Sequence, residues 1–581
     1  MEEINSDLIA RIATRLYNAV SRPQAFPGNV ADVESVAREV VNPVREETSA
    51  RGIPFPDAVN DKGGQQGEGV TLDEITQVIE KLKANPARSV PGELTDQHFV
   101  QSSTLGKGVS LNHHAEKLVH QQTLHQPAER YGGLKEFVSG IQSCRYDPTG
   151  NASGDGPLAD PFSVLLRASL PARSKLAGHT AFNVHAIRRD FPILQQKVNG
   201  KPLVWFDNAA TTQKPKVVID TLNHYYTHYN SNIHRGAHTL ATRATDAFEE
   251  ARDKIRDYLN AGHSSEIIFV RGATEGINLV AQSYGKKFIG HGDEIVLSEL
   301  EHHANIVPWQ IIARERGALL RVIPMNDRGE ILLDEYEKLL GPRSRVVALS
   351  HASNSLGTIV PVHEMIQMAR RYGAHVLIDG AQSVAHLPVD VQALDCDFFA
   401  FSGHKIFGPT GIGALYGKKE LLEIMPPWQA GGNMIRDVTF EETIYNDGPA
   451  KFEAGTPTIA DAVGLGVALD YVRGIGLVNI AAHEQKLLEH ATEQLSRING
   501  LRLIGTAREK VGVTSFVLKD KPSEEVGRYL DRHGIAVRAG HHCAQPSLRR
   551  FGLEATVRPS FSLYNTFDEV DRLVYALKGI S

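Results

Sequence analysis

From about residue 182 onward the chain alternates short apolar runs with amphipathic stretches, and that alternation leaves few folds open. Short apolar runs bounded by helical patterns read as the strands of a parallel sheet joined by crossover helices. Residues 267–270, 294–297, 320–323, 346–349, 375–378 and 398–401 are the predicted strands of such an α/β sheet. Ligands of open α/β sheets bind beyond the carboxyl ends of the strands. The residues that follow each run are therefore the ones to read for chemistry.

Residues 1–181 follow another regime. Gly, Pro and polar stretches, such as 61–67 and 147–157, punctuate this part, and no continuous core can be built across them. Ile4, Leu8, Ile12 and Leu16 still recur every four residues, and Thr71 with Glu74 forms a capping box ahead of Ile75, Val78, Ile79 and Leu82, stopped by Pro86. Isolated helices of this size are marginal in water, so these stripes either stay nascent in a flexible tail or dock on a partner surface. A largely disordered, partly helical extension is expected.

At 581 residues the chain has room for about three to five domains. With 62 Lys and Arg against 68 Asp and Glu, net charge −6, nothing favours a polyanion, and no nucleic-acid partner is expected. The 3 cysteines, Cys144, Cys396 and Cys543, exclude a disulfide framework and fit a reducing compartment. No stretch approaches the roughly 20 apolar residues that span a bilayer. Met1-Glu2-Glu3 lacks the basic and apolar regions of a secretory signal, and Glu2, Glu3 and Asp7 disfavour an organellar transit peptide. A cytoplasmic protein with no membrane partner is the expectation.

Two strand ends carry the strongest chemical signal. The run 398–401 stops on Ser402-Gly403-His404-Lys405, and the run 375–378 stops on Asp379-Gly380-Ala381-Gln382. An aspartate that keeps a pyridinium nitrogen protonated and a lysine that forms a Schiff base are what a pyridoxal phosphate enzyme must supply. After 267–270, Arg271-Gly272-Ala273-Thr274-Glu275-Gly276 opens a helix and offers free backbone N–H groups and a hydroxyl to a phosphate. The histidines of Glu301-His302-His303-Ala304-Asn305 follow another strand. Adjacent histidines do not share a helical face and no third ligand adjoins them, so a ring stacked on a planar cofactor is a better use of His302 than a metal.

Asn354, after 346–349, offers an amide to a ring oxygen, and Asn230 to Gly236 form a polar loop. Arg538-Ala539-Gly540-His541-His542-Cys543 sets a cysteine beside imidazoles and an arginine, surroundings that favour thiolate. Arg558 is placed to clamp a carboxylate. Cys396, at the start of a buried strand, reads as a packed thiol.

From about Phe182 to Ile580 the chain resembles the group II, SUF-type cysteine desulfurases of the fold type I aminotransferase superfamily. The resemblance rests on these motifs together with Asp207-Asn208-Ala209-Ala210-Thr211 and Asn232-Ile233-His234-Arg235-Gly236, all in family order. It implies a fold type I PLP-dependent transferase, with a mostly parallel seven-stranded sheet in a large domain at 206–445 and a smaller α+β domain from 182–205 and 446–581. It further implies that Lys405 carries pyridoxal 5'-phosphate, Asp379 pairs with its ring nitrogen, His302 stacks on the ring and Gln382 meets the phenolic oxygen. Ala273, Thr274, Ser402 and His404 would hold the phosphate, and Thr456 would reach the phosphate of the other subunit in a homodimer. Asn354 and Arg558 would bind the carboxylate of L-cysteine, with Arg538 and His234 nearby, and Cys543 would be the nucleophile that takes up sulfur as a persulfide. No metal is implied.

The extension 1–181 is similar in arrangement to the cargo-loading region of cysteine desulfurases packaged in family 2 encapsulin shells, which implies a shell protein as partner and sulfur storage within it. The short loop around Cys543 looks like those of relatives that need a sulfur-acceptor protein. A selenocysteine lyase, and a desulfurase that feeds iron–sulfur cluster assembly without encapsulation, would use the same constellation. A binding module that retains the fold without turnover is argued against by the intact Lys405, Asp379 and Cys543.

Overall fold

The computed structural model describes residues 182–580, Arg235 excepted. The Ile4 stripe, the Thr71 capping box, the expected shell-binding extension and Cys144 lie outside the described residues.

The predicted apolar runs form one seven-stranded sheet. In chain order its strands are β1 (Ile267–Val270), β2 (Glu294–Ser298), β3 (Leu319–Ile323), β4 (Ser344–Ser350), β5 (His375–Asp379), β6 (Phe398–Ser402) and β7 (Gly413–Gly417), and in space they run β1-β7-β6-β5-β4-β2-β3. Six match the predicted runs, β4 also taking in Ser344 and Arg345. Strands β2 to β6 pair in parallel, while β7 is antiparallel to both β1 and β6. The cause is the length of the link: residues 403–412 are fewer than the dozen or so that a parallel crossover needs. The chain therefore doubles back directly after β6, and that turn carries His404 and Lys405.

Burial on both faces explains why the strands read as continuous apolar runs rather than as alternations. Val347, Leu349, Val376, Ile378, Phe399 and Phe401 belong to the core on one face, and Val346, Ala348, Leu377, Phe398 and Ala400 to the core on the other. The period-2 projection of side chains divides them. Helix α4 (Ile459–Ile475) packs against α1 (Lys216–His228) and α2 (Thr239–Leu259), and α2 and α3 (Ala273–Val280) adjoin this sheet. Most of α4 is buried all round, as an apolar core helix must be. Among the described residues no single helix is long and apolar enough to cross a membrane.

A second, four-stranded antiparallel sheet contains β8 (Leu501–Ile504), β9 (Ser515–Leu518), β10 (Arg538–Gly540) and β11 (Thr556–Arg558), in the order β8-β9-β11-β10. Helices α5 (Leu477–Ser496), α6 (Ser523–Arg532) and α7 (Phe567–Lys578) supply its apolar cover. Val204–Trp205 pairs in parallel with Ile535–Ala536, and Asp207 bridges Ser560, so the segment that opens the fold is laced to this sheet.

Gly380 shows how tightly the site end of the large sheet is packed. A Cβ there would lie 1.9 Å from the ring of Phe399, so nothing larger than glycine fits directly after Asp379. Gly380→Ala is expected to cost about 3 kcal/mol through overpacking, read as a lower denaturant midpoint at unchanged slope in chemical unfolding.

Candidate active site

The carboxyl ends of the parallel strands meet the loop that follows β10 around a cavity of about 240 Å³. Lys405, Asp379, His302, Arg558 and Cys543 all line it. Register explains the convergence: Asp379 is the last residue of β5 and lies opposite Ser350 of β4 and Ala400 of β6, while Lys405 follows β6 in the turn to β7.

Asp379 is buried and accepts one hydrogen bond, from the Ala381 N–H to Oδ1 at 3.0 Å. Burial raises its pKa and the nearby Lys405 ammonium opposes that rise. A buried carboxylate so poorly supplied with donors fits a protonated ring nitrogen as its partner. Lys405 stands in the cavity wall, and burial brings its amine down to about 8, with Asp379 pulling the other way.

At one end of the cavity are groups suited to a phosphate. Helix α3 starts directly after β1, and Ala273 and Thr274 at its first turn line the cavity with Ser402 and His404. Gly272 has φ +156°, and a Cβ on it would come within 2.9 Å of Ser402 Oγ, so the backbone approaches Ser402 closely. The Ala273 N–H donates to that Oγ at 2.9 Å. Burial, and then Lys405, lowers the His404 pKa to about 4, so its ring is neutral at physiological pH.

His302 is neutral for the same two reasons, burial first and Lys405 second, with a pKa of about 3. Its Nδ1 accepts from the Ala304 N–H at 3.0 Å, which leaves the proton on Nε2 and fixes the ring plane. The loop around it is held by Glu301, a fully buried carboxyl that accepts from Ser298 Oγ at 2.5 Å, Ser350 Oγ at 2.7 Å and Asn305 Nδ2 at 2.7 Å. Burial raises the Glu301 pKa to about 7.

Cys543 is partly accessible, and both it and His542 are left-handed, with φ of 53° and 55°. Two successive non-glycine residues in that region are costly and persist only where neighbours fix them. Here the Cys543 N–H donates to His541 Nδ1 at 3.0 Å, the His303 N–H donates to the Cys543 carbonyl at 2.8 Å, and Asn354 Nδ2 donates to the His542 carbonyl at 2.6 Å. Arg558 is fully buried and donates through Nη1 to the Asn354 carbonyl at 2.9 Å and through Nη2 to Asp207 at 3.1 Å. Gln382 also lines the cavity, its Nε2 donating to the Ala209 carbonyl at 2.6 Å.

Two expected site residues lie elsewhere. His234 is exposed, with Nε2 2.8 Å from Glu249, and Thr456 sits on an exposed loop; neither lines the cavity of this single chain. Cys396 is fully buried, and burial pushes its thiol up. The residues that do line the cavity fit pyridoxal phosphate: an amine for the aldehyde, a buried carboxylate for the ring nitrogen, a neutral imidazole for the ring face and a helix start for the phosphate.

Residues 204–573 match the family model described as aminotransferase class-V. The chain belongs to that family, among its cysteine desulfurases. A cysteine desulfurase of Synechococcus elongatus is 62% identical over 421 residues, which cover 72% of this chain and 67% of that protein. One from Dickeya dadantii is 51% identical over 400 residues, covering 69% of this chain and 97% of that protein. Among solved structures, the Escherichia coli cysteine desulfurase in its S-sulfonic acid form superimposes with a TM-score of 0.64 at 39% identity, over 69% of this chain and 98% of that one. The apo enzyme of Thermococcus onnurineus does so with 0.64 at 37%, over 67% and 98%. The match thus spans the two sheets and leaves the first 180 or so residues of this desulfurase without a counterpart in the compact relatives.

The sequence reading assigned no role to Glu301, His303, His541 or Asp207, although each stands in a quoted motif. Their importance comes from hydrogen bonds to residues distant in sequence, which spacing does not reveal.

Pyridoxal phosphate is this family's cofactor, and capture of its aldehyde by the Lys405 amine would require the neutral form of that amine. With a pKa of about 8, the amine is mostly protonated below that pH and mostly free above it. The rate of pyridoxal phosphate uptake by the cofactor-free protein is expected to rise about tenfold per pH unit below 8 and to level off above it, followed as the growth of the yellow chromophore. Lys405→Ala should show no such chromophore at any pH.

Proposed function

We propose that this desulfurase converts L-cysteine to L-alanine and takes the sulfur as a persulfide on Cys543. The observation that carries the reading is that Cys543, Lys405, Asp379 and Arg558 line one cavity. When bound, pyridoxal phosphate supplies the electron sink for the substrate's α-carbon.

The roles of the chain's own residues follow from their surroundings. Arg558, rigid because it is fully buried and anchored at both Nη atoms, fixes the substrate carboxylate, with Asn354 beside it. Asp379 keeps the ring nitrogen protonated, since that nitrogen supplies the charge its buried carboxylate lacks. His302 stacks on the ring as a neutral imidazole and adds no charge to it. Lys405 Nζ, with a pKa near working pH, removes the proton from the α-carbon and later returns one. Cys543 Sγ, as thiolate, attacks the substrate sulfur: the Sγ–S bond forms, the C–S bond breaks, and its electron pair stays with the carbon skeleton, which is protonated and leaves as alanine. The left-handed backbone at Cys543 carries the thiol on a loop tied down at three points, a geometry that favours a fixed direction of attack.

The motif set favours the group II, SUF-type subgroup. In that reading the active unit is a homodimer in which Thr456, exposed and outside the cavity of its own chain, serves the phosphate of the partner subunit. Residues 1–181 act as an encapsulin cargo-loading region, with several short apolar stripes adding through effective concentration. The setting is then cytoplasmic, inside a shell, with sulfur stored there or passed to an acceptor protein.

Cys543→Ala is expected to load cofactor and turn yellow on purification while sulfide and alanine release from L-cysteine falls by more than about a thousandfold. A colourless wild type that takes up no pyridoxal phosphate would remove the reading altogether. Deletion of 1–181 is expected to leave turnover intact and abolish recovery of the enzyme inside co-expressed shells; loss of turnover would instead make the extension part of the enzyme.

A further inference from the structure

Asp207 opens one of the quoted motifs yet enters no step above. It is the shared acceptor of the two arginines at the cavity. Arg538 donates from Nε to both carboxylate oxygens at 3.2 Å and from Nη2 to Oδ2 at 3.0 Å, and Arg558 donates from Nη2 to Oδ1 at 3.1 Å. The two arginines stand directly opposite each other in the β10–β11 register, a like-charge pairing that needs an anion between them. Asp207 is itself fixed: it bridges Ser560, and its carbonyl accepts from the N–H groups of Ala210 and Thr211 at 3.1 and 3.2 Å.

The two guanidinium groups are occupied differently. Arg538 has its Nε–Nη2 fork turned wholly onto Asp207. Arg558 gives Asp207 a single N–H and retains further donors, in a side chain 2% exposed and unable to swing away. The cluster of two cations and one anion carries one net positive charge, which matches one carboxylate. Arg538, by contrast, is 48% exposed and would be free to turn toward the cavity it lines if Asp207 lost its charge.

We propose that Asp207 is a specificity-determining residue: by holding the fork of Arg538, it limits the receptor to the single fork of Arg558 and so selects amino acids with one acidic group over those with two. This rests on the reading of Arg558 as the site of the substrate carboxylate. A second acidic group on the substrate finds Arg538 already engaged and the Asp207 carboxylate behind it, which is selection by an unfavourable charge rather than by an extra contact.

The test uses the cofactor-loaded full chain and two ligands that differ by one carboxylate, L-alanine and L-aspartate, with Kd measured by calorimetry. In Asp207→Asn the ratio of the L-aspartate Kd to the L-alanine Kd is expected to fall by about tenfold or more, the scale of one charge contact near the surface. Asp207→Glu, which keeps the charge, should restore the wild-type ratio. An unchanged ratio in folded Asp207→Asn overturns the proposal.

Arg538→Gln reads the same claim should Asp207→Asn fail to fold. With that fork engaged by Asp207, its loss removes no contact to a second acidic group and uncovers the Asp207 charge, so the ratio should hold or rise. A ratio that falls would mean that Arg538 itself, and not Asp207, keeps the second acidic group out, and would equally overturn it. Turnover of L-cysteine by the wild type is recorded alongside: its absence removes the desulfurase reading, while the ratio continues to test Asp207.

Discussion

The site depends on the parallel pairing of β5 with β6, because that register delivers an aspartate and a lysine to the same edge of a sheet. Both strands are buried on both faces. Burial pushes the carboxyl up and the amine down, each toward its neutral form, and the attraction between them opposes both shifts. The cavity thus holds an amine that is readily made nucleophilic and a carboxylate in need of a charged partner. Gly380, with the Phe399 ring where its side chain would be, shows that this edge is packed to the backbone. A shift of either strand by one residue would turn Asp379 or its neighbours into the wrong face.

Cys543 comes from the other sheet, so its placement is a tertiary matter. Strands β10 and β11 bring Arg538 and Arg558 together, and the chain leaving β10 enters the left-handed pair His542 and Cys543. That conformation is held from the large sheet: His303 follows β2 and donates to Cys543, and Asn354 follows β4 and donates to His542. Glu301, with three donors on its buried carboxyl and no cation among them, fixes the loop from which His302 and His303 project. One group of contacts therefore sets both the His302 ring in the cavity wall and the grip on the cysteine.

How much of this was legible follows from where each signal resides. Six strands were readable because two-sided burial forces continuous apolar runs, and the three residues Lys405, Asp379 and Cys543, which line one cavity, stand where strand ends and a glycine loop draw the eye. Strand β7 escaped because it is bounded by Gly413 and Gly417, which look like turn residues; a Cβ at Gly413 would lie 2.3 Å from the Phe401 carbonyl, so that glycine is there for close backbone approach. Glu301 and Asp207 escaped because a carboxylate's role depends on what surrounds it, and their partners are Ser350 in one case and Arg538 and Arg558 in the other. His234 and Thr456 were named from the resemblance, and the geometry of one chain gives them no place in its cavity.

Perturbed basicity alone would not single out Lys405. Lys214 and Lys510 are, like Lys405, brought down to about 8 by burial. Their amines, however, are committed to backbone carbonyls: Lys214 to Thr212 at 2.5 Å and His404 at 3.3 Å, Lys510 to Gly505. The Lys405 amine makes no hydrogen bond to the described residues and faces a cavity with a carboxylate on its wall. The two described cysteines divide in the same way: Cys396 is sealed in the core, where thiolate is suppressed, and Cys543 is open to the cavity on a constrained loop. What separates the chemical residue from its inert counterpart is an unspent functional group facing a space that a substrate can enter, and a shift in pKa gains meaning only when geometry supplies both.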